Sequence, residues 1–137
     1  AVASSKPKVF VEKILDYFHI RQYFDVVSGA ELDGTRNNKQ AVMKEAFVRL
    51  GIIKGLNPDE ITDDNYVMTE DELGQIASVS CAMVGDRKFD VLAAKKIGIK
   101  SIAVTYGYAV EGEWDNLHAD KFVSTTQELI SLFSFNQ

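Results

Sequence analysis

The chain has 137 residues and a mass of 15.2 kDa, the size of one ordinary domain. Hydrophobic residues make up 46% of it and charged residues 26%, so the composition excludes disordered, collagen-like and low-complexity proteins. The net charge of −5 is a poor match for the phosphate backbone of DNA or RNA. We therefore expect no nucleic-acid partner.

Much of the negative charge is local. Seven acidic residues and no basic residue lie between Gly55 and Gly85. The apolar residues of this part of the sequence show only weak periodicity. Residues 55–77 are therefore interpreted as an acidic surface insertion, and the rest of residues 1–137 as one core.

The single cysteine, Cys81, cannot form an internal disulfide, and this fits the reducing cytosol. No apolar run is long enough to cross a bilayer. The sequence therefore predicts a cytoplasmic protein without a membrane partner.

The first residues, from Ala1 to Pro7, are typical of the end of a buried strand that leads into a helix. Pro7 suits the first turn of that helix, and Ser4 or Ser5 is a candidate cap. Because the chain begins inside a core strand, we expect that upstream residues exist, either as a separate polypeptide or as a segment left out.

Strands and helices are predicted to alternate along the chain. The strands are apolar throughout, which is typical of a parallel sheet covered on both faces. The predicted fold class is therefore α/β, with a three-layer Rossmann-like parallel sheet. In chain order the predicted elements are a first strand ending near Lys6, a helix to His19, strand 24–28, helix 39–50, strand 79–84, helix 89–97, strand 101–105, a helical turn at 113–117, strand 121–123 and helix 126–133.

Ligands of such sheets bind beyond the carboxyl ends of the strands. The polar residues predicted at these ends should face one crevice. They are Ser4, Ser5, Lys6, Asp86, Thr105 and Tyr106.

The strongest local motif is Gly85-Asp86-Arg87-Lys88-Phe89-Asp90, which follows a predicted strand. The spacing of four residues places the carboxylates of Asp86 and Asp90 on one side of a first helical turn. Two carboxylates with room for water and a phosphate oxygen suit Mg²⁺. The alternative is that Asp86 caps the helix and Asp90 is solvated or favours the helix dipole.

Two further residues suit an anion. A hydroxyl such as that of Ser4, with the adjacent backbone amides, can hold a phosphate at a helix N-terminus. Lys39 opens a helix, where its charge opposes the helix dipole unless an anion is near. The alternatives are an ordinary N-cap for Ser4 and a solvated surface lysine for Lys39.

These motifs, in this order, resemble those of the haloacid-dehalogenase-like (HAD) superfamily, and within it the phosphoglycolate-phosphatase-like hydrolases. Residues 23–29 and 104–108 are also similar to that subgroup. The resemblance implies that Ser4, Ser5 and Lys39 bind the phosphoryl group, with the Ser4 hydroxyl holding it and Lys39 neutralising its charge. It implies that Asp86 and Asp90 hold Mg²⁺, and that a phosphomonoester is hydrolysed through a covalent aspartyl-phosphate.

The sequence departs from the family at its first motif, because it contains no Asp-x-Asp-Gly-Thr. Glu31-Leu32-Asp33-Gly34-Thr35 is a near match, but it has Glu at the nucleophile position and no buried strand leading into it. We interpret Asp33-Gly34 as a turn. The expected nucleophile therefore lies upstream, the fold lacks its first strand and cap domain, and the chain alone should be inactive.

Three functions stay open. The leading one is a Mg²⁺-dependent phosphatase of a small phosphorylated metabolite, with phosphoglycolate as the first candidate. A nucleoside 5′-monophosphate phosphatase is the nearest alternative, and a non-catalytic phosphate-binding or partner-binding domain is the third. Carbon–halogen hydrolysis is disfavoured, because paired aspartates suit metal-dependent phosphate chemistry.

Overall fold

The structure is a computed structural model and describes residues 1–134. Parallel strands alternate with helices, which confirms the predicted α/β class. The chain divides into two compact units, residues 1–79 and the part from Ser80 onward. The described residues form two parallel sheets, one in each unit.

The first unit contains a two-stranded parallel sheet and three α-helices. Strands β1 and β2 pair in the register Val2 to Val27 and Ser4 to Gly29. Helix α1 buries Val11 and Leu15 against Val27. The elements are β1 (Val2–Pro7), α1 (Lys8–Tyr17), β2 (Val27–Ala30), α2 (Lys39–Arg49) and α3 (Glu70–Ala77), with short 3₁₀ turns at Arg21–Tyr23 and Pro58–Glu60.

The junction of β1 and α1 differs from the prediction. The strand continues to Pro7, whose ψ of 132° is extended, and no side chain caps the helix that follows. The prediction that Ser4 or Ser5 caps α1 is therefore wrong. The Ser4 hydroxyl instead accepts a hydrogen bond of 3.1 Å from the Lys6 amide.

The second strand also lies later than predicted, because a 3₁₀ turn occupies residues 21–23. It runs through Gly29, which is fully enclosed. A Cβ atom at Gly29 would lie 2.8 Å from the Lys6 carbonyl oxygen and from the Lys8 nitrogen. Only glycine allows the backbone after β1 to approach β2 this closely.

Residues 55–77, which we call the acidic segment, are more than a surface insertion. A reciprocal capping box of Thr69 and Glu72 opens α3. Ile61 and Ile76 are buried, and Glu72 pairs with Lys44 of α2 at 3.0 Å. The sequence pattern missed this because the buried positions are few and widely spaced.

The second unit is a three-stranded parallel sheet, in the order β3-β4-β5, with two helices. Gly98, at φ 76°, ends α4 as predicted. Leu129 of α5 packs on a small core of Ile102, Val104 and Val123. The elements are β3 (Ala82–Gly85), α4 (Lys88–Ile97), β4 (Lys100–Val104), β5 (Lys121–Val123) and α5 (Thr126–Phe133).

Strand β3 was predicted to be buried throughout, and this is wrong. It begins at Ala82, and Val84 is 38% exposed, because β3 is an edge strand that pairs with β4 alone among the described strands. Cys81 precedes the strand and is half-buried, and burial raises the pKa of its thiol.

The segment at residues 113–117, predicted as one helical turn, consists of hydrogen-bonded turns, with the Leu117 amide donating to the Trp114 carbonyl. Within residues 1–134, the helices are all too short or too polar to traverse a lipid bilayer.

The buried side chain of Ile76 tests whether the acidic segment contributes to the core. We expect Ile76→Ala to lower the free energy of unfolding by about 2–5 kcal/mol, since it removes a buried side chain and leaves a cavity. Val67→Ala, at an exposed position of the same segment, should change it by less than about 0.5 kcal/mol. Urea unfolding of both variants measures this, and equal small effects would show that the segment is only a surface decoration.

Candidate active site

Lys39 contacts the strand β1 next to Ser4. Lys39 is the first residue of α2, and its Nζ donates a hydrogen bond of 2.5 Å to the carbonyl oxygen of Ala3. Ala3 is covalently joined to Ser4, so the ammonium group lies beside the predicted phosphate-binding residue. The reading of Lys39 as a solvated surface lysine is wrong, because its side chain is half-buried and bonded.

Ser5, the third residue predicted to bind phosphate, is exposed. Successive side chains of a strand point to opposite faces, so Ser5 does not share the face of Ser4. Within residues 1–134 no hydrogen bond of its hydroxyl is observed.

The loop between β2 and α2 contains the near match to the missing motif. The Asp33 carboxylate accepts hydrogen bonds from the Thr35 amide (2.9 Å) and hydroxyl (2.7 Å), which lower the pKa of Asp33. Gly34 adopts φ 83°. This confirms the predicted turn, and it shows that Asp33 is occupied in holding the loop.

Sequence reasoning missed a buried ionic network beneath this loop. Arg36 is 2% exposed and Glu45 is fully buried, with 3.4 Å between Arg36 Nη2 and Glu45 Oε1. Arg36 also donates to the Gly29 carbonyl (3.2 Å), while Glu45 accepts from the Ser28 hydroxyl and from Arg49 (2.6 Å). The only sequence signal was Glu45 and Arg49 four residues apart, a spacing that is typical of an exposed helix pair.

Asp86 and Asp90 lie at the end of β3 in the second unit. Asp86 follows the strand directly, and its Oδ2 accepts a hydrogen bond of 2.9 Å from the Tyr108 amide. Asp90 is 8% exposed, and its Oδ2 accepts one of 3.2 Å from the Arg87 amide. The alternative reading is therefore wrong for Asp86, because Arg87 is the N-cap. For Asp90 it is right in part, because the residue is not solvated but lies in the first turn of α4, where its charge favours the helix dipole.

The side chains of Asp86 and Asp90 occupy space that is available because Gly85 and Gly107 lack a Cβ atom. A Cβ at Gly85 would lie 2.2 Å from Asp90 Oδ2, and a Cβ at Gly107 would lie 2.2 Å from the Asp86 Cβ. Both positions therefore require glycine for the observed placement of the aspartates.

Glu113 is a second residue that sequence reasoning missed. Its side chain is 1% exposed, and its Oε1 accepts hydrogen bonds from Arg87 Nε (2.9 Å) and from the Lys88 amide (2.7 Å). Its Oε2 accepts from the Val110 amide at 3.2 Å. The bond to Arg87, followed by the amide bonds, lowers the pKa of Glu113 to about 2. Glu113 thereby joins the loop after β4 to the first residue of α4.

The donor set at the end of β3 fits Mg²⁺. Asp86 and Asp90 supply hard carboxylate oxygens held by backbone amides, next to glycines that leave them room. Residues 1–134 contain no group of three or more His, Cys, Asp or Glu side chains arranged to hold a metal ion. Mg²⁺ commonly uses only one or two carboxylates and completes its shell with water and substrate phosphate.

The fold agrees with that of a known family of hydrolases. The chain belongs to the HAD-hydrolase-like family, whose model matches residues 40–129. This confirms the family predicted from the sequence.

Three similar proteins illustrate the family. The 5′-nucleotidase of Pseudomonas aeruginosa is 31% identical over 112 residues, which are 82% of this chain and 40% of that protein. The phosphoglycolate phosphatase of Vibrio parahaemolyticus is 32% identical over 109 residues, which are 79% of this chain and 37% of that protein. The crystal structure of a predicted phosphatase from Clostridium acetobutylicum is similar over 96% of this chain and 50% of that one, with a TM-score of 0.71 and 32% identity.

Gly85→Ala tests the space occupied by Asp90. We expect it to lower the free energy of unfolding by about 1–3 kcal/mol, because the added methyl group would displace the carboxylate that bonds the Arg87 amide. Gly74→Ala is the matched control, since nothing lies within 4 Å of its added Cβ, and it should stabilise α3 by about 0.5–1 kcal/mol. Thermal and urea unfolding measure both changes, and a neutral Gly85→Ala would contradict the close approach.

The depressed pKa of Glu113 predicts a pH dependence. Between pH 4.5 and about 2 the unfolded chain protonates this group while the folded chain does not, so its stabilisation is complete above pH 4.5 and is lost as the pH falls towards 2. We expect Glu113→Gln to remove this part of the pH dependence. Urea unfolding across that range measures it, with Glu111→Gln, at an exposed position, as the control. If the free energy of unfolding depends on pH in the same way for the wild type and for Glu113→Gln, the prediction is contradicted.

Proposed function

We propose that the natural protein carrying this chain is a Mg²⁺-dependent hydrolase of a small phosphomonoester, acting in the cytoplasm, with phosphoglycolate as the leading substrate. The observation that carries the proposal is the bond from Lys39 Nζ to the Ala3 carbonyl, which holds a cation at the backbone of the residue that precedes Ser4. Membership of the HAD-hydrolase-like family and the likeness to a phosphoglycolate phosphatase support the same function.

In this proposal Ser4 and Lys39 bind the phosphoryl group. The Ser4 hydroxyl donates to a phosphoryl oxygen. The Lys39 ammonium stabilises the negative charge that the phosphoryl oxygens carry during transfer. A lysine already fixed by a backbone carbonyl loses little side-chain freedom when the substrate binds.

Asp86 and Asp90 would hold the Mg²⁺ ion. When bound, Mg²⁺ supplies positive charge that offsets the charge of the phosphoryl group and orients it. The Tyr108 and Arg87 amides hold one oxygen of each carboxylate in place, so these carboxylates are positioned before the ion binds.

The nucleophile is proposed to come from residues outside these 137. The sequence contains no Asp-x-Asp-Gly-Thr, and Asp33 is held in its turn by Thr35. The part matched by this chain is 40% of the Pseudomonas aeruginosa 5′-nucleotidase and 37% of the Vibrio parahaemolyticus phosphoglycolate phosphatase. An aspartate from such a segment would attack phosphorus, displace the alcohol and be released by water.

A hydrolysis assay on the natural protein tests this function. We expect the protein to release phosphate from phosphoglycolate. EDTA should abolish this activity, and added Mg²⁺ should restore it. Asp86→Asn and Lys39→Met should each lower kcat/KM on the order of 100-fold or more, because each removes charge stabilisation of the transition state. Asp115→Asn, at an exposed position of the second unit, is the control for Asp86 and should keep the activity.

Each other result of the assay excludes part of the proposal. Full activity of Asp86→Asn would refute the metal role of that residue. Release of halide from a haloacid without release of phosphate would refute the reaction class. Phosphate binding without turnover of any ester would favour the non-catalytic binding domain.

A nucleoside 5′-monophosphate phosphatase is the second candidate, favoured by the likeness to the Pseudomonas aeruginosa 5′-nucleotidase. The ratio of kcat/KM for phosphoglycolate and for a panel of nucleoside 5′-monophosphates discriminates the two. A higher value for a nucleotide would replace phosphoglycolate as the substrate and leave the reaction class unchanged.

A further inference from the structure

Asp63 of the acidic segment binds the loop that leads into α2. Its carboxylate accepts hydrogen bonds from the Asn38 amide (2.8 Å) and the Asn37 amide (2.9 Å). Its own amide donates to the Thr35 carbonyl at 2.8 Å. Asp63 therefore binds two amides and one carbonyl of the short stretch of backbone from Thr35 to Asn38. This stretch lies 25 residues or more before Asp63 in the sequence.

The part of the acidic segment that carries Asp63 is itself fixed. Ile61 is buried, and its carbonyl accepts a hydrogen bond of 2.8 Å from Arg36 of the same loop. Asn65 closes a turn around Asp63, since its side chain donates to the Glu60 carbonyl and accepts from the Thr62 amide, each at 2.8 Å. A carboxylate on a fixed turn can set the position of the backbone that it binds.

The backbone that Asp63 binds determines where Lys39 lies. Asn38 is the N-cap of α2, and its side chain accepts from the Gln40 amide at 2.8 Å. Lys39 follows as the first helical residue. The carboxylate also places negative charge at a helix N-terminus that begins with a lysine, where charge of that sign is favourable.

We propose that Asp63 is a positioning residue for Lys39, and that the acidic segment contributes to the phosphate-binding site through it. Asp63 acts through the amides of Asn37 and Asn38 and does not touch the substrate. The proposal rests on the proposed function, because it assigns Lys39 to the phosphoryl group.

The first measurement is backbone amide exchange by NMR in the natural protein. Asp63→Ala should speed the exchange of the Asn37 and Asn38 amides at least tenfold, because it removes their acceptor. Asp64→Ala is the matched control, since it makes the same charge change at an exposed neighbour whose carboxylate has no hydrogen bond within residues 1–134. If Asp63→Ala does not fold, Asp63→Asn carries the test, because it keeps the shape and loses the charge.

The second measurement is the affinity of the natural protein for inorganic phosphate, by calorimetry with Mg²⁺ present. We expect Asp63→Ala to weaken phosphate binding on the order of tenfold and Asp64→Ala to leave it unchanged. In a Lys39→Met background, Asp63→Ala should have no further effect, because Asp63 acts only through Lys39. A general loss of structure would instead weaken binding in both backgrounds.

The outcomes separate this proposal from the function on which it rests. Unchanged exchange of the two amides, or equal weakening of phosphate binding in both backgrounds, would overturn the positioning role and leave the function intact. If Lys39→Met alone leaves phosphate affinity unchanged, the proposed function fails, and the positioning role fails with it. Two results together support both the positioning role and the proposed function. Asp63→Ala speeds the exchange of the Asn37 and Asn38 amides, and it weakens phosphate binding only when Lys39 is present.

Discussion

A carboxylate shielded from water is stable only when its oxygens are paired, and each unit is built around one such glutamate. In the first unit, Glu45 lies on α2 with no exposure and is paired by Arg36, Arg49 and the Ser28 hydroxyl. In the second unit, Glu113 is paired by Arg87 and by two backbone amides. Loss of one partner would leave buried charge uncompensated, so these pairings constrain the loops that supply the partners.

Both glutamates act on loops that border candidate active-site residues. Arg36, held by Glu45, also binds the carbonyls of Gly29 and Ile61, and so joins the end of β2 to the acidic segment. Glu113 joins the start of α4 to the loop whose Tyr108 amide binds Asp86. The residues assigned to phosphate and to Mg²⁺ are therefore held mainly through backbone amides and carbonyls. These contacts fix the functional groups themselves, namely the Lys39 ammonium and one oxygen of each aspartate.

The sequence predictions succeeded where the signal was local and failed where it depended on distant partners. Lys39 was expected to open a helix, and it is the first residue of α2, where it contacts the Ala3 carbonyl of β1. Capping of α1 by a serine was wrong, since the backbone stays extended to Pro7. The acidic segment was predicted as a surface insertion, yet Ile61 and Ile76 are buried in the first unit. The few buried apolar residues of this segment are not recognisable in the sequence, because charged residues surround them. Some of these charged residues pair with buried or backbone groups of other segments.

The sequence by itself determined the α/β class, the family, the order of the elements and the turn at Asp33-Gly34. These follow from apolar periodicity, from turn residues and from motifs read within a few positions of one another. Only the tertiary structure decided which groups pair with Glu45, Glu113 and Asp63. Asp63 meets the Asn37 amide across 26 positions of the chain, and Glu113 meets Arg87 across the same number. Short-range patterns carry no information about such partners, because the partners come together only when the intervening chain has packed.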